Sequence, residues 1–77
     1  MDINSFVENV VGQFDEAPAE PFTPETKFHE VEGWSSLVAL SLIAMTDEEY
    51  GVALKGDDIR NAVTIQDLYN AVVAKKA

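Results

Sequence analysis

A chain of 77 residues without cysteine depends on packing alone, because it can form neither a disulfide nor a thiolate metal site. With a single histidine a structural zinc site is implausible as well, and we expect no bound metal. Fourteen acidic residues against five basic ones give a net charge of −9, which opposes binding to nucleic acid or anionic membranes and favours basic protein surfaces. Apolar residues form 47% of the chain, enough for one globular domain over residues 1–77.

No basic segment followed by an apolar run opens the chain, and no apolar stretch is long enough to cross a bilayer. We therefore expect a cytoplasmic, soluble monomer that does not enter membranes.

The first predicted element is an amphipathic helix over residues 2–15. Its apolar side chains recur at i, i+3, i+4, i+7, i+8 and i+11 and form one face, made of Ile3, Phe6, Val7, Val10, Val11 and Phe14. Asp2 is available as the N-cap, and Pro18 favours a stop near residue 17. Three prolines break the pattern over residues 16–35, which predicts a long loop held to the bundle by Phe22, Phe28, Val31 and Trp34.

A second helix is predicted over Ser36–Tyr50, with serine hydroxyls at its start and Gly51 as its stop. One stripe forms the expected core face, namely Ala39, Leu42, Ile43, Thr46 and Tyr50. The helix is apolar on other sides too, which favours either a partner-facing surface or a deeper core. We predict the partner-facing surface, formed by Leu37, Val38, Leu40, Ser41, Ala44, Met45, Asp47 and Glu48.

Two further helices are predicted after Gly51. A short one spans Gly56–Asn61 and is capped by an aspartate. The last begins at Thr64 as N-cap with Asp67 at the N3 position, and its expected core face is Ile65, Leu68, Tyr69, Val72 and Val73. No segment reads as a convincing strand. The predicted fold is all-α: a small up-down bundle of three main helices plus one short helix, with a long first loop.

The chain resembles an acyl carrier protein. Gly33-Trp34-Ser35-Ser36-Leu37 is similar to the family's Gly-x-Asp-Ser-Leu attachment motif at the start of the second helix. Three other segments resemble the family in the same order, namely Thr23–Phe28, Asp47–Gly51 and Val63–Leu68. The five-residue motif alone is weak, whereas the ordered set is specific.

The resemblance implies that Ser36 receives 4′-phosphopantetheine from coenzyme A, with Ser35, Leu37 and Trp34 completing the cofactor site. The arm's thiol would then carry acyl groups as thioesters, and the protein would be a non-catalytic carrier for fatty-acid, polyketide or specialised acyl synthesis. Its partners would be a phosphopantetheinyl transferase and acyl-transferring and condensing enzymes with basic or apolar docking surfaces. The space between the helices is a hypothetical shelter for an acyl chain.

The chain departs from the family at Ser35, where aspartate is usual, and at Val38 and Ser41, where acids are common. Serine keeps the cap but lacks the charge, which leaves transferase recognition and even modification of Ser35 itself open. The apolar start of the helix favours a specialised carrier. Trp34 is interpreted as a loop anchor, with an aromatic wall beside the arm as the alternative. A peptidyl or aminoacyl carrier and an unmodified helical adaptor are the competing functions.

Overall fold

The computed structural model describes residues 2–15 and 19–76, and within these ranges the chain is helical and contains no strand. The four α-helices are α1 (Ile3–Val11), α2 (Ser36–Tyr50), α3 (Gly56–Asn61) and α4 (Ile65–Lys76), with a 3-10 turn over Phe28–Glu30. The all-α prediction of three main helices and one short helix is confirmed. In this part of the chain no helix combines the length and the apolar character needed to cross a bilayer.

The first helix is shorter than predicted, because it ends at Val11 and not near residue 15. Gly12, a poor helix former, follows it and donates its N–H to the Glu8 carbonyl at 3.1 Å. The next two N–H groups bond to the third residue back, Gln13 to Val10 at 3.0 Å and Phe14 to Val11 at 3.1 Å, which tightens the chain out of α-helical geometry. Phe14 is nevertheless buried as the pattern predicted. The expected stop near residue 17 lies outside the described residues.

The predicted bounds of α2 are confirmed, but its buried face is displaced. Leu42 and Thr46 are fully buried as predicted. Val38 and Met45, which were predicted to face a partner, are buried as well, with exposed fractions of only 5% and 6%. The prediction that Val38 and Met45 face a partner is therefore wrong. Because α2 packs against both α3 and α4, more of its circumference is covered than a single contact would cover.

The predicted cap of α4 is present, whereas the N-cap of α3 is Lys55 and not an aspartate, which corrects that prediction. In α3 the Asp58 carboxylate accepts the Lys55 N–H at 2.8 Å. In α4 the Asp67 N–H donates to the Thr64 hydroxyl at 3.1 Å, and the Asp67 carboxylate accepts the Thr64 N–H at 3.1 Å. The fully buried side chains of α4 are Ile65, Leu68 and Val72, with Tyr69 partly buried. Val73, placed on the core face by its spacing, is 40% exposed, which corrects that prediction.

The first loop is held to the bundle at several points along its described part. Phe28 is fully buried, and the other predicted anchors, Phe22, Val31 and Trp34, pack against the core while partly exposed. The carbonyl of Thr26 accepts the Ile65 N–H at 3.1 Å, and the carbonyl of Pro24 accepts the Gln66 N–H at 2.8 Å. Since the first N–H groups of a helix have no partner inside it, the loop backbone serves as a cap for α4.

Candidate functional site at the start of α2

The backbone that enters α2 makes two changes of direction within three residues. Gly33 has a φ of +96°, a left-handed conformation that favours glycine. The Trp34 N–H donates to the Val31 carbonyl at 3.1 Å and closes a turn. Ser35 is then extended, with φ −159° and ψ 170°, and Ser36 is the first helical residue. This arrangement places two adjacent serines on either side of the helix boundary.

The two serines are in different environments. The Ser35 hydroxyl oxygen accepts the Val38 N–H at 3.3 Å, and the Ser35 carbonyl accepts the Ala39 N–H at 3.1 Å. Ser35 is therefore the N-cap, as predicted. The Ser36 side chain is exposed and forms no hydrogen bond with any residue that the structure describes. Of the two hydroxyls, only that of Ser36 is both accessible and uncommitted as an acceptor.

The first turn of α2 suits an anionic group. The N–H groups of Ser36 and Leu37 have no acceptor among the described residues, and no acidic side chain lies in this turn. The partial positive charge of a helix N-terminus and its unpaired N–H groups stabilise a phosphate placed there. The residues present therefore fit a phosphate-bearing group joined to the Ser36 hydroxyl.

An apolar ridge continues from this serine along the outer side of α2. Leu37 is 67% exposed and Leu40 62% exposed, and Ala44 follows one turn later on the same exposed side. Beyond it, Asp47 and Glu48 are exposed near the end of the helix, and Ser41 is half-buried beside the ridge. The predicted partner-facing surface therefore remains at these six residues, without Val38 and Met45.

Trp34 belongs to an aromatic cluster inside the first loop. Its ring lies 4.8 Å from that of His29, 5.3 Å from Phe28 and 6.4 Å from Phe14, measured between ring centroids. These contacts favour the interpretation of Trp34 as a loop anchor. His29 also belongs to this cluster, with its ring centroid 4.3 Å from that of Phe28, and the sequence predicted no role for it. Its position next to Phe28 in the sequence is the one signal for this contact, because a loop has no regular periodicity from which to predict which rings meet.

Comparison with known families agrees with this geometry. A family model described as "Phosphopantetheine attachment site" matches residues 5–72, which is most of the chain and includes the whole entry to α2. No solved structure gives a significant match to the chain.

Proposed function

The chain belongs to the phosphopantetheine attachment site family, whose domains carry a covalent 4′-phosphopantetheine, and we propose that it is an acyl carrier protein with Ser36 as the attachment residue. The observation that carries this assignment is the contrast between the two serines. The Ser35 hydroxyl is engaged in capping α2, whereas the Ser36 hydroxyl is exposed at the first helical position. A transferase can therefore reach the Ser36 oxygen without breaking the cap.

Each residue at the helix start has a separate role in this proposal. Ser36 contributes the oxygen that forms the phosphodiester. The N–H groups of Ser36 and Leu37 stabilise the negative charge of that ester, while the Ser35 hydroxyl caps the helix by accepting the Val38 N–H. When bound, the prosthetic group supplies a thiol that holds an acyl chain as a thioester, which the protein, having no cysteine, cannot supply itself.

Carrier domains of this family are non-catalytic, and we propose that partner enzymes perform all the chemistry. Their docking surface on this chain would be the ridge of Leu37, Leu40 and Ala44, with Asp47 and Glu48 at its far end. Burying an exposed leucine contributes about 1.5–3 kcal/mol, more than an exposed ion pair, which contributes about 0–1 kcal/mol. This balance supports dedicated partners with apolar surfaces, and hence a specialised pathway.

Intact mass spectrometry tests the proposal. The wild-type chain is incubated with coenzyme A, magnesium and a phosphopantetheinyl transferase, beside Ser36→Ala and its matched control Ser35→Ala. We expect one arm on the wild type and on Ser35→Ala, and none on Ser36→Ala. Loading of Ser36→Ala would move the attachment point to another residue. A wild type that stays unmodified, while a competent carrier in the same tube is loaded, would favour the helical adaptor.

A further inference from the structure

A groove opens between the residues that follow α1 and the loop that leads to α2. We call it the loop groove. Its apolar lining comes mainly from Phe14, Phe22 and Val31, and Gly33 lies at its edge towards α2. Phe14 and Phe22 meet edge to face, with ring centroids 5.3 Å apart and planes at 85°. Phe14 is buried, whereas Phe22 is partly exposed and leaves ring surface open to a ligand.

The charged lining of the loop groove is strongly unbalanced. Among the described residues, four carboxylates line it against one ammonium group, that of Lys27; the acids are Asp15, Glu20, Glu30 and Glu32. All five side chains belong to exposed residues, and none of them takes part in an ion pair within the described part of the chain. Lys27 offsets at most one of the four negative charges, so the lining keeps a net negative charge.

This combination of lining groups selects a particular ligand chemistry. The apolar surface takes a hydrocarbon segment, while aromatic faces and carboxylates both attract an ammonium group. A ligand that ends in a carboxylate would meet four charges of its own sign. The groove therefore suits an apolar chain bearing an amine, and opposes an anionic chain of the same length.

The loop groove lies close to the proposed attachment point. Gly33 is three residues from Ser36, and three residues span at most about 10 Å between Cα atoms. Exposed charge contacts contribute only a few tenths of a kcal/mol each, too little to hold a dissolved ligand firmly. A tethered ligand, however, is present at an effective concentration in the millimolar range, where such weak contacts suffice.

We propose that the loop groove binds an amine-bearing acyl group carried on Ser36, with the ammonium beside Glu30 and Glu32 and the hydrocarbon on Phe22 and Val31. The proposal rests on the proposed function for its tether, and it deepens that function by naming the class of cargo. The expected order of occupancy is amine-ended, then methyl-ended, then carboxylate-ended chains.

The test uses the absence of cysteine from the chain. Ser36→Cys creates a single thiol, to which iodoacetamide-linked arms of the length of 4′-phosphopantetheine are attached, ending in a six-carbon amine, alkane or carboxylate. The shifts of the backbone amide signals of Phe22, Val31 and Gly33 are compared. We expect shifts at least about threefold larger for the amine than for the alkane, and none for the carboxylate.

Charge variants separate the groove from the general acidity of the protein. Glu30→Gln with Glu32→Gln should reduce the shifts of the amine arm to those of the alkane arm. Glu8→Gln with Glu49→Gln is the matched control, since it removes the same two charges from exposed residues outside the groove and outside the docking surface, and it should change nothing. Amide signals outside the groove show whether each variant keeps its fold.

Equal shifts from all three arms, or shifts confined to interior residues such as Leu42 and Val72, would overturn the proposal. Titration of the wild type with free 1-aminohexane and hexanoate in the millimolar range gives the same preference for amine over carboxylate, with the uncharged 1-hexanol as reference, should Ser36→Cys disturb the helix start. Neither measurement uses a transferase. A chain that no transferase loads but whose groove prefers the amine would therefore refute the proposed function alone. A chain that is loaded on Ser36 but whose groove shows no preference for the amine would refute the groove proposal alone.

Discussion

The hydroxyl oxygen of Ser35 accepts the backbone N–H of Val38 at 3.3 Å, and this bond distinguishes Ser35 from its neighbour Ser36. Ser35→Ala removes this side-chain cap of α2 and should lower the free energy of unfolding by about 1 kcal/mol. For a domain of this size that corresponds to a fall in Tm of about 4–8 °C, measurable by calorimetry.

Ser35→Asp is the matched variant for this position. It keeps an acceptor for the Val38 N–H and adds a negative charge at a helix N-terminus, so its Tm should equal or exceed that of the wild type. Because the resemblance places aspartate here in the family, we also expect faster loading by a general transferase. Loading of Ser35→Asp no faster than that of the wild type would show that the charge is dispensable for recognition.

Asp67 makes the stability of α4 depend on pH. The backbone N–H groups of Thr64 and Val63, together with the Thr64 hydroxyl, lower the pKa of its carboxyl below the ordinary value. Its stabilising effect is therefore fully present above the unfolded pKa of about 3.9, and is lost as the pH falls through the lower folded pKa. Asp67→Asn should be less stable than the wild type in urea at pH 7, with a difference that shrinks below about pH 4.

Asp57→Asn is the control for this titration. Asp57 pairs with Arg60 at 2.9 Å, but both side chains are at least 75% exposed, so the pair should contribute little at any pH. A difference between Asp67→Asn and the wild type that persists unchanged to pH 2 would mean that the carboxylate charge is not what stabilises the cap.

Local signals predicted the caps of α2 and α4, because a cap depends only on residues within one turn. The serine before the Ser36–Tyr50 helix, the left-handed Gly51 with φ +66° and the Thr64–Asp67 pair are each readable from a few adjacent letters. The position of Ser36 at the helix start followed from the same signals. The early end of α1 at Val11 also had a local cause in Gly12, but the apolar pattern that continues to Phe14 outweighed it.

Tertiary contacts decided what the sequence could not. A helix that is apolar on most sides leaves its rotation undetermined, and only packing against α3 and α4 buries Val38 and Met45 while exposing Leu37 and Leu40. The loop groove and the ring of His29 against Trp34 likewise depend on how distant parts of the first loop fold together.

Leu40 and Leu42 test the division of α2 into an outer ridge and a core face. Leu42 is fully buried, so Leu42→Ala should lower the free energy of unfolding by about 2–5 kcal/mol. Leu40 is 62% exposed, so Leu40→Ala should change the free energy of unfolding by less than about 0.5 kcal/mol. The same substitution should slow turnover by partner enzymes. Denaturant unfolding measures the first effect and acyl-transfer kinetics the second. Normal kinetics for Leu40→Ala would remove the ridge from the docking surface.

We expect the Trp34 side chain to stabilise the aromatic cluster of the first loop and not to contact the prosthetic arm. Trp34→Ala should lower the free energy of unfolding by about 3 kcal/mol. This is the lower end of the range for a buried tryptophan, because the Trp34 ring is partly exposed. Trp34→Phe retains an aromatic ring to pack on Phe28 and should cost less than half as much. Loading the wild-type protein should leave the fluorescence maximum of Trp34 unchanged, because its ring stays packed against Phe28 and His29. A shift on loading would support the alternative of an aromatic wall beside the arm.

Hydrogen exchange should distinguish the two helix starts. The N–H groups of Ile65 and Gln66 donate to loop carbonyls at 3.1 and 2.8 Å, whereas those of Ser36 and Leu37 have no acceptor in the described part of the chain. A net hydrogen bond of about 1–1.5 kcal/mol corresponds to roughly tenfold slower exchange. After correction for intrinsic rates, we therefore expect Ile65 and Gln66 to exchange about tenfold more slowly than Ser36 and Leu37.

A variant of the first loop tests the cause of this protection. The Thr26 hydroxyl oxygen accepts the Thr23 N–H at 2.8 Å and holds the turn that presents the loop carbonyls to α4. Thr26→Ala should therefore speed exchange at Ile65 and Gln66, while Ser36 and Leu37 keep their wild-type rates. Equal exchange at all four amides in the wild type would mean that the loop does not hold its cap on α4 in solution. In that case the N–H groups at the start of α2 would be no more open than those at the start of α4. The contrast that marks the entry to α2 as the anion site would then be absent.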